Sequence, residues 1–189
     1  MVNKKIIKIS DFICEKVLEI GVNNAFLVTG GGAMHLNDSI TRNKKFLCHF
    51  LHHEQSLSMA AEGYFRTNNK IALINVTTGP GAINALNGVF GAFVDSIPML
   101  IISGQVKTDT MLSNSQKNIN LRQLGDQEVD LFNLVKPIVK YVATPTNTLD
   151  TLLALKNCLF YLNYHRPGPV WLDIPINIQS TLLKKSDAE

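Results

Sequence analysis

Short apolar runs alternate along this chain with longer segments in which apolar residues recur at helical spacing. The runs are nearly all apolar, as strands buried on both faces of a sheet must be. They span residues 25–28, 46–51, 71–76, 98–103 and 169–174. The helical segments span residues 10–20, 34–42, 54–67, 80–94, 127–135 and 149–164. This alternation predicts an α/β fold, a doubly wound three-layer sandwich with a mainly parallel sheet of about six strands.

Two segments depart from this alternation. Residues 107–123 are polar and rich in Ser, Asn and Gln, which predicts a long loop beyond the end of a strand. After Pro175 the chain ends in a lysine-bearing stretch that is typical of a linker or a frayed terminus. We therefore expect one domain over residues 1–175, followed by a linker or disordered tail toward a further domain over residues 176–189.

Composition narrows the class of protein. The 189 residues are 46% hydrophobic and 17% charged, which is typical of a globular domain with one core. The net charge of +3 comes from scattered Lys and Arg, without the dense basic face of a nucleic-acid-binding protein. The apolar stretches are shorter than the about 20 residues of a membrane span, and the N-terminus does not resemble a signal peptide. We expect a cytoplasmic protein without nucleic-acid or membrane partners.

The cysteines and histidines do not predict a metal site. The three cysteines are far apart in apolar surroundings, so they form neither zinc-site spacing nor a disulfide framework. His52 and His53 are adjacent, but the sequence places no third ligand near them, and packing at a strand end is the more common role. We assign no metal ligand in this chain.

Four distinctive sequences follow the predicted strands. They are Thr29 to Ala33, His52 to Gln55, Thr77 to Asn84 and Ser103 to Gln105. Ligands of open parallel sheets bind beyond the carboxyl ends of the strands, so we expect these junctions on one edge. The glycines either present backbone N–H groups to an anion or only make tight turns. A nucleotide fingerprint is not favoured, because His35 stands at its third glycine position and no GxxxxGK[ST] is present.

Glu54 is the candidate acid among these junctions. It follows an apolar run and begins a predicted helix, where the positive end of the helix dipole stabilises a carboxylate. The apolar surroundings act in the opposite direction. Spacing alone leaves both a helix-capping and a catalytic role open for Glu54.

The junctions also form an ordered set with several further sequences. The set comprises His53 to Gln55, Ala60 to Tyr64, Thr77 to Asn84, Asp95 to Pro98, Ser103 to Val106, Arg166 to Val170 and Asp173 to Pro175. In order and separation it resembles the pyrimidine-binding domain of thiamine diphosphate enzymes of the acetohydroxyacid synthase (acetolactate synthase) type. Each sequence alone is weakly specific, whereas the set is specific and covers residues 10–175.

The resemblance implies roles for individual residues. Glu54 matches the glutamate that bonds N1′ of the aminopyrimidine and favours the imino tautomer, whose 4′ nitrogen removes the thiazolium C2 proton. Gln127 matches a glutamine that faces the active centre, so the implied catalytic residues are Glu54 and Gln127. The implied cofactor-binding residues are Thr29, Gly30, Glu54, Thr77, Pro80 and Asn84. The implied substrate contacts are Gln105 and Asp126.

The function implied is that of the N-terminal domain of a thiamine diphosphate-dependent 2-oxo acid lyase or carboligase, an acetolactate synthase-like transferase or decarboxylase. Asp126 replaces the phenylalanine common in acetolactate synthases, which favours a more hydrophilic acceptor, such as a sugar. Gly30 replaces the usual proline before the paired glycines and loosens that turn. The alternative is a non-catalytic regulatory or nucleotide-binding module of the same fold.

One expected motif is absent. The family binds Mg²⁺ and the diphosphate through Gly-Asp-Gly followed by paired asparagines, whereas the Gly-Asp pair of this chain is Gly125-Asp126. We therefore expect a diphosphate-binding domain or subunit to complete the site for thiamine diphosphate and Mg²⁺, and the 189 residues alone to be inactive. The family also implies a dimer or tetramer. FAD in the complete enzyme is left open.

Overall fold

A computed structural model of the chain describes residues 6–114 and 120–187. Its strands are β1 (Ile6–Lys8), β2 (Asn24–Leu27), β3 (Leu47–Phe50), β4 (Leu73–Val76), β5 (Met99–Gln105), β6 (Tyr141–Ala143), β7 (Pro169–Pro175) and β8 (Leu182–Lys184). Its α-helices are α1 (Ile9–Glu19), α2 (Met34–Arg42), α3 (Glu54–Asn68), α4 (Pro80–Val94), α5 (Leu131–Val135), α6 (Thr148–Tyr161) and α7 (Ile176–Ser180).

Six strands form one parallel sheet in the order β3-β2-β4-β5-β7-β6. Within it, β5 pairs with β7 from Met99 opposite Pro169 to Gln105 opposite Pro175. Because every pairing is parallel, the carboxyl ends of the strands share one edge of the sheet. The predicted parallel sheet of about six strands is confirmed.

Alternate residues of the central strands enter two hydrophobic cores. On β5, Leu100 and Ile102 belong to the core beneath α1, α2, α6 and α7. Met99 and Ile101 belong to the core beneath α3, α4 and α5. A strand with both faces covered is mostly apolar, which explains the nearly continuous apolar runs. The predicted three-layer sandwich is therefore confirmed.

The helix expected over residues 127–135 differs from the structure, because only Leu131–Val135 is helical. Asp130 caps this short helix, accepting the Asn133 backbone N–H at 3.1 Å. Before the cap, Gln127 has a left-handed backbone with φ of 59°, which ends helical continuity on that side.

The last helix and one strand also differ from the expectation. Helix α6 ends at Tyr161 rather than at residue 164, and Lys140 Nζ caps its end by donating to the backbone carbonyl oxygens of Tyr161 and Tyr164. Strand β6 has only three residues, all half-buried, and therefore lacks the apolar run that marks the other strands.

The expected linker over residues 176–189 is folded over much of its length. Residues 176–180 form α7, and β8 pairs antiparallel with β1 at the opposite end of the chain. Ile178 and Leu183 are buried in the core beneath α1 and α2, and this burial holds the segment in place. Residues 188–189 of the expected tail and residues 115–119 of the expected polar loop lie outside the described residues.

Helices α3 and α4 carry exposed apolar side chains. These are Met59, Ile83, Phe90, Phe93 and Val94, and they define what we call the α3/α4 face. Contiguous exposed apolar surface marks contact with another protein or with a membrane. Among the residues that the structure describes, no helix combines the length and apolar character needed to cross a bilayer.

Candidate functional site

Glu54 is the first residue of α3, just beyond the carboxyl end of β3. The preceding residue caps the helix, because His53 Nδ1 accepts a hydrogen bond from the Gln55 backbone N–H at 3.2 Å. The Glu54 side chain is only 9% exposed. Local structure thus holds a nearly buried carboxylate at the positive end of a helix dipole.

Asn84 binds this carboxylate from the neighbouring helix. Its Nδ2 donates to Glu54 Oε2 at 3.0 Å. The other oxygen, Oε1, has no hydrogen-bond donor among the described residues, and it faces Gly81, where a Cβ would stand 3.2 Å away. The carboxylate is therefore fixed through one oxygen and keeps acceptor capacity on the other.

The glycine junction after β2 packs closely on the junction after β4. A Cβ at Gly30 would lie 2.5 Å from the Cβ of Thr77, so a larger residue at Gly30 requires a shift of the backbone. The Gly32 backbone N–H donates to Thr77 Oγ1 at 3.1 Å. A Cβ at Gly81 would in turn lie 2.9 Å from Thr77 Cγ2. These contacts bring Gly30, Thr77 and Glu54 together on one edge of the sheet.

Two amide side chains hold the glycine junction from behind. Asn37 Nδ2 donates to the Gly30 carbonyl oxygen at 3.2 Å. Gln179 Nε2 donates to the Gly32 carbonyl oxygen at 2.8 Å. The sequence analysis missed both residues, because neither belongs to a recognisable motif. Gln179 is far from Gly32 in the chain, and Asn37 lies on α2 whereas Gly30 lies in the preceding junction.

Gln127 reaches the same edge through its backbone. Gly79 has φ of 59°, and a Cβ there would lie 2.1 Å from the Gln127 carbonyl oxygen, so the turn requires glycine. Pro80 follows Gly79 as the first residue of α4, and its side chain is exposed. The side chain of Gln127 is exposed as well. The structure thus brings Gln127 beside the turn that carries Thr77 and Pro80.

The remaining predicted site residues are placed differently. Thr29 and Asp126 are exposed and make no hydrogen bond to the other predicted site residues within the described parts of the chain. Gln105 is buried at the end of β5, where its amide binds protein groups away from Glu54. The substrate roles of Gln105 and Asp126 stay predictions.

Gln105 belongs to a buried polar network centred on Asp173 of β7. Ser103 Oγ donates to Asp173 Oδ1 at 2.6 Å, and Gln105 Nε2 donates to Asp173 Oδ2 at 2.9 Å. Thr144 Oγ1 approaches the same Oδ2 at 3.5 Å, and Trp171 Nε1 donates to Ser103 Oγ at 2.8 Å. Burial raises the pKa of Asp173 from 3.8 to about 7, although the hydrogen bonds from Ser103, Gln105 and Thr144 act to lower it.

This network was not predicted, although the sequence contained a signal for it. Asp173 is the one carboxylate of strand β7, whose other residues are Pro, Val, Trp, Leu and Ile. A lone carboxylate in a strand that is buried on both faces needs hydrogen-bond donors from neighbouring strands. That reasoning could have identified Asp173, but it could not have named its partners.

A cavity of about 750 Å³ lies beside this network and not beside Glu54. Its walls come from β6, α5, α6 and the segment before α5, and they include Gln105, Tyr141, Leu153 and Asp173. Within residues 6–114 and 120–187, no three His, Cys, Asp or Glu side chains are grouped as ligands of a metal ion. Because the cavity contacts Asp173 and not Glu54, the residues around Glu54 and those around Asp173 form two separate groups.

Comparison with known proteins agrees with the resemblance. Residues 7–130 match the family described as thiamine pyrophosphate enzyme, N-terminal TPP binding domain. The acetolactate synthase large subunit of Haemophilus influenzae is 32% identical over 166 residues, which cover 88% of this chain and 27% of that protein.

Two further relatives are also acetolactate synthases. The acetolactate synthase large subunit of Buchnera aphidicola subsp. Schizaphis graminum is 31% identical over 94% of this chain and 29% of that protein. The chloroplastic acetolactate synthase of Arabidopsis thaliana is 30% identical over 92% of this chain and 24% of that protein. The chain thus spans less than a third of the length of these relatives. Because the family match covers more than half of its residues, the chain belongs to the thiamine pyrophosphate enzymes and comprises their N-terminal TPP-binding domain.

Proposed function

We propose that this protein is the pyrimidine-binding part of a thiamine diphosphate-dependent lyase or carboligase of the acetolactate synthase type, with Glu54 as its proton-handling acid. The observation that carries this proposal is the state of the Glu54 carboxylate. It is nearly buried, it accepts a hydrogen bond from Asn84 at Oε2, and no group in the described part of the chain donates to Oε1. The acetolactate synthases among its relatives support the same class of reaction.

The residues around Glu54 fit the aminopyrimidine end of thiamine diphosphate. Gly81 leaves the approach to Glu54 Oε1 open, because a side chain there would begin 3.2 Å from that oxygen. A ring N–H can supply the donor that Oε1 lacks, and the Gly30 and Thr77 junctions line the same edge. We expect Mg²⁺ and the diphosphate to be held by another domain or subunit.

Bound thiamine diphosphate supplies the electron sink for breaking and making C–C bonds next to a carbonyl group. With the cofactor bound, Glu54 Oε1 would share a proton with a nitrogen of the pyrimidine ring, and the hydrogen bond from Asn84 Nδ2 to Oε2 would keep the carboxylate from rotating. Burial strengthens the contact, because little water competes for Oε1. Gln127, exposed beside the Gly79 turn, is available to the substrate.

The test is a comparison of Glu54→Gln with Glu62→Gln. Glu62 lies two turns further along α3, where its carboxylate binds Arg66, so the control makes the same chemical change on the same helix. The chain is combined with its diphosphate-binding domain or subunit, thiamine diphosphate and Mg²⁺, and pyruvate consumption is measured. We expect Glu54→Gln to lose about 10²- to 10⁴-fold in turnover and Glu62→Gln to stay near wild type.

Equal turnover of wild type and Glu54→Gln would refute the catalytic role of Glu54. If the wild-type assembly itself consumes no pyruvate while it binds thiamine diphosphate, the regulatory alternative gains instead. Thermal unfolding of each variant shows whether it is folded, so that a loss of turnover is not confused with a loss of folding.

The α3/α4 face supports the proposal that a partner protein surface completes the site. Asn84 is exposed on α4 next to Ile83, so a partner that covers the α3/α4 face also covers the entrance to Glu54. We expect this partner to be a second copy of the protein or the diphosphate-binding domain. Desolvating the face would strengthen the hydrogen bonds of the site.

Two phenylalanines of equal exposure allow a matched test of the α3/α4 face. Phe90 on α4 and Phe160 on α6 are each 54% exposed. We expect Phe90→Asp to reduce self-association in sedimentation, and Phe160→Asp to leave it unchanged. A strictly monomeric wild-type chain, or equal effects of the two substitutions, would count against the α3/α4 face as the interface.

The exposed carboxylate of Asp126 supports a hydrophilic acceptor. Asp126 precedes Gln127 and is exposed, so it can offer hydrogen-bond acceptors to hydroxyl groups such as those of a sugar. We expect the complete enzyme to accept a polyhydroxylated aldehyde or ketone, and Asp126→Phe to shift the preference toward small 2-oxo acids. Turnover of small 2-oxo acids alone by the wild type would contradict this.

A further inference from the structure

Asp173 is a buried titratable group that the proposed reaction does not use. It is 1% exposed, and its carboxylate lies between the ends of β5, β6 and β7. Burying a carboxylate costs free energy, so an arrangement that retains one indicates a structural or functional demand. The hydrogen-bond donors around Asp173 indicate which part of the structure the carboxylate stabilises.

Gln105 connects Asp173 to the segment that contacts the Gly79 turn. Its Nε2 donates both to Asp173 Oδ2 at 2.9 Å and to the Val129 carbonyl oxygen at 3.2 Å. Its Oε1 accepts the Val106 backbone N–H at 2.9 Å. Both N–H groups of the amide are therefore used inside the protein, and Gln105 acts as a bridge between β7 and the segment that contains Val129.

That segment, Gly125–Asp130, is also stabilised by its own Glu128 side chain. The Glu128 carboxylate accepts the backbone N–H groups of Leu112, Leu124 and Gly125 at 2.6, 3.0 and 3.0 Å. Within the segment, the Gln127 carbonyl oxygen packs directly on Gly79. A continuous set of contacts thus connects Asp173, through Gln105 and Val129, to the turn beside the proposed pyrimidine site.

We propose that Asp173 and Gln105 are a positioning pair, which holds the Gly125–Asp130 segment so that Gln127 stays against the Gly79 turn. The proposal rests on the proposed function in one respect, namely that Gln127 faces the cofactor and the substrate. Neither Asp173 nor Gln105 needs to touch a ligand in this role. The role differs from the substrate contact that the sequence suggested for Gln105.

The ionised form of Asp173 suits this role best. An ionised carboxylate accepts from Ser103, Gln105 and Thr144 at once, whereas a protonated one uses an oxygen as a donor and must release or reverse one of these bonds. Burial places the pKa of Asp173 at about 7, so the change occurs near neutral pH. The charged or titratable groups around it are Asp130 before α5, Glu128 and Arg122 on the cavity wall, Asp150 on α6 and Tyr141 on β6.

Trp171 provides a built-in reporter of this ionisation. It is the single tryptophan of the 189 residues, and its indole N–H donates to Ser103 Oγ, which in turn binds Asp173. In a titration of the chain from about pH 5 to 9, we expect the emission of Trp171 to change with a midpoint near the Asp173 pKa of about 7. Asp173→Asn should abolish the change, while Asp150→Asn, which removes an exposed carboxylate of the same cavity, should keep it.

Hydrogen exchange tests whether Gln105 holds the segment. Gln105→Met removes the amide at similar size, and Gln123→Met makes the same change at an exposed glutamine near the segment. We expect Gln105→Met to speed amide exchange of Leu124 and Gly125 about five- to tenfold, and Gln123→Met to leave it unchanged. Thr144→Val, which removes one donor to Asp173, should change exchange in the same direction by less.

Three results would overturn the positioning pair. They are a pH-dependent Trp171 signal in Asp173→Asn with the wild-type midpoint, a wild-type signal without pH dependence, and unchanged exchange of Leu124 and Gly125 in Gln105→Met. These measurements need no cofactor, so their failure is distinct from failure of the proposed reaction. In the complete enzyme, Asp173→Asn should also flatten the dependence of kcat on pH around neutrality, whereas a residue with only a structural role would lower kcat equally at every pH.

Discussion

Glu54 and Asp173 are two buried carboxylates on the same edge of one sheet, and they differ in how many hydrogen bonds their oxygens accept. Glu54 accepts one side-chain hydrogen bond, from Asn84, and has no donor at Oε1 among the described residues. Asp173 accepts a hydrogen bond from Ser103 at Oδ1 and another from Gln105 at Oδ2, and Thr144 Oγ1 lies near Oδ2. A carboxylate with spare acceptor capacity can receive a ligand, whereas a saturated one stabilises the arrangement of its donors.

The same contrast extends to the backbone around the two groups. The edge near Glu54 is built from glycine junctions, in which Gly30, Gly32 and Gly81 allow chain segments to approach closely. The edge near Asp173 is built from polar side chains of neighbouring strands. Near Glu54 the absence of glycine side chains allows backbone segments to approach closely, whereas near Asp173 polar side chains occupy the acceptor sites of the carboxylate. The comparison predicts different consequences for changes on the two sides.

The largest expected effect concerns pH and the stability of the fold. The folded-state pKa of Asp173 lies at about 7, above its ordinary value of 3.8. The penalty for ionising the buried group is therefore absent below about pH 4, grows as the pH rises and is complete above about pH 7. Relative to Asp173→Asn, the wild-type free energy of unfolding should fall by up to about 4 kcal/mol across this range.

Chemical denaturation at a series of pH values measures this difference. Asp150→Asn is the control, because Asp150 is exposed and should leave the slope unchanged. If the free energies of unfolding of wild type and Asp173→Asn change in parallel from about pH 4 to 7, Asp173 does not cause the pH dependence of stability.

A smaller effect is expected from Gly104, where the two sides of the edge meet. A Cβ at Gly104 would lie 2.0 Å from the Gly32 carbonyl oxygen, which belongs to the backbone of the neighbouring junction. Gly104→Ala should therefore displace the glycine junction and destabilise the protein by about 3 kcal/mol. Thermal unfolding measures the loss.

The matched control for Gly104→Ala is Gly63→Ala on α3. A Cβ at Gly63 meets no atom within 4 Å, and the residue is exposed in a helix. Alanine there should stabilise the protein by about 0.5 to 1 kcal/mol. Equal destabilisation by both substitutions would mean that the close approach of the two junctions does not decide the outcome.

The smallest expected effect sharpens the account of Glu54. Asn84→Ala removes the bond to Glu54 Oε2, and the carboxylate is then free to rotate. We expect thiamine diphosphate to bind about tenfold more weakly in the complete enzyme, while stability changes by about 1 kcal/mol or less. Asn87→Ala, one turn further along α4 at another exposed asparagine, should leave cofactor binding unchanged. Isothermal titration with thiamine diphosphate and Mg²⁺ decides between these outcomes.

Much of the fold could be predicted from the sequence, because a strand that is buried on both faces consists mostly of apolar residues. The runs around β4, β5 and β7 show this directly. Strand β6 was missed, since its three residues are only half-buried at the end of the sheet and carry no such signal. The expected tail was misjudged for a related reason, because α7 and β8 are short and become ordered through contacts with α1, α2 and β1.

The candidate site could be predicted in part. The ordered junctions contain Glu54, Thr77 and Asn84, and the resemblance also implied Gln127. The structure brings the segments of these residues to one edge, while their roles stay predictions. The roles of Gln105 and Asp173 could not be predicted, because β5 and β7 are adjacent in the sheet while the two residues are 68 positions apart in the chain. Residue type and local spacing carry no information on such a partner.

By itself the sequence determined the parallel sheet and the edge on which the junctions meet, because these depend on periodicity and on the residues next to each strand. The cofactor role of Glu54 was implied by the family resemblance and stays a proposal. Only the tertiary structure decided which polar atoms remain available. Asn84, 30 positions from Glu54 in the chain, donates to Oε2, and within residues 6–114 and 120–187 no group donates to Oε1. Ser103 and Gln105 each donate to one oxygen of Asp173. The hydrogen-bonding capacity of a buried group is set by neighbours that folding brings together.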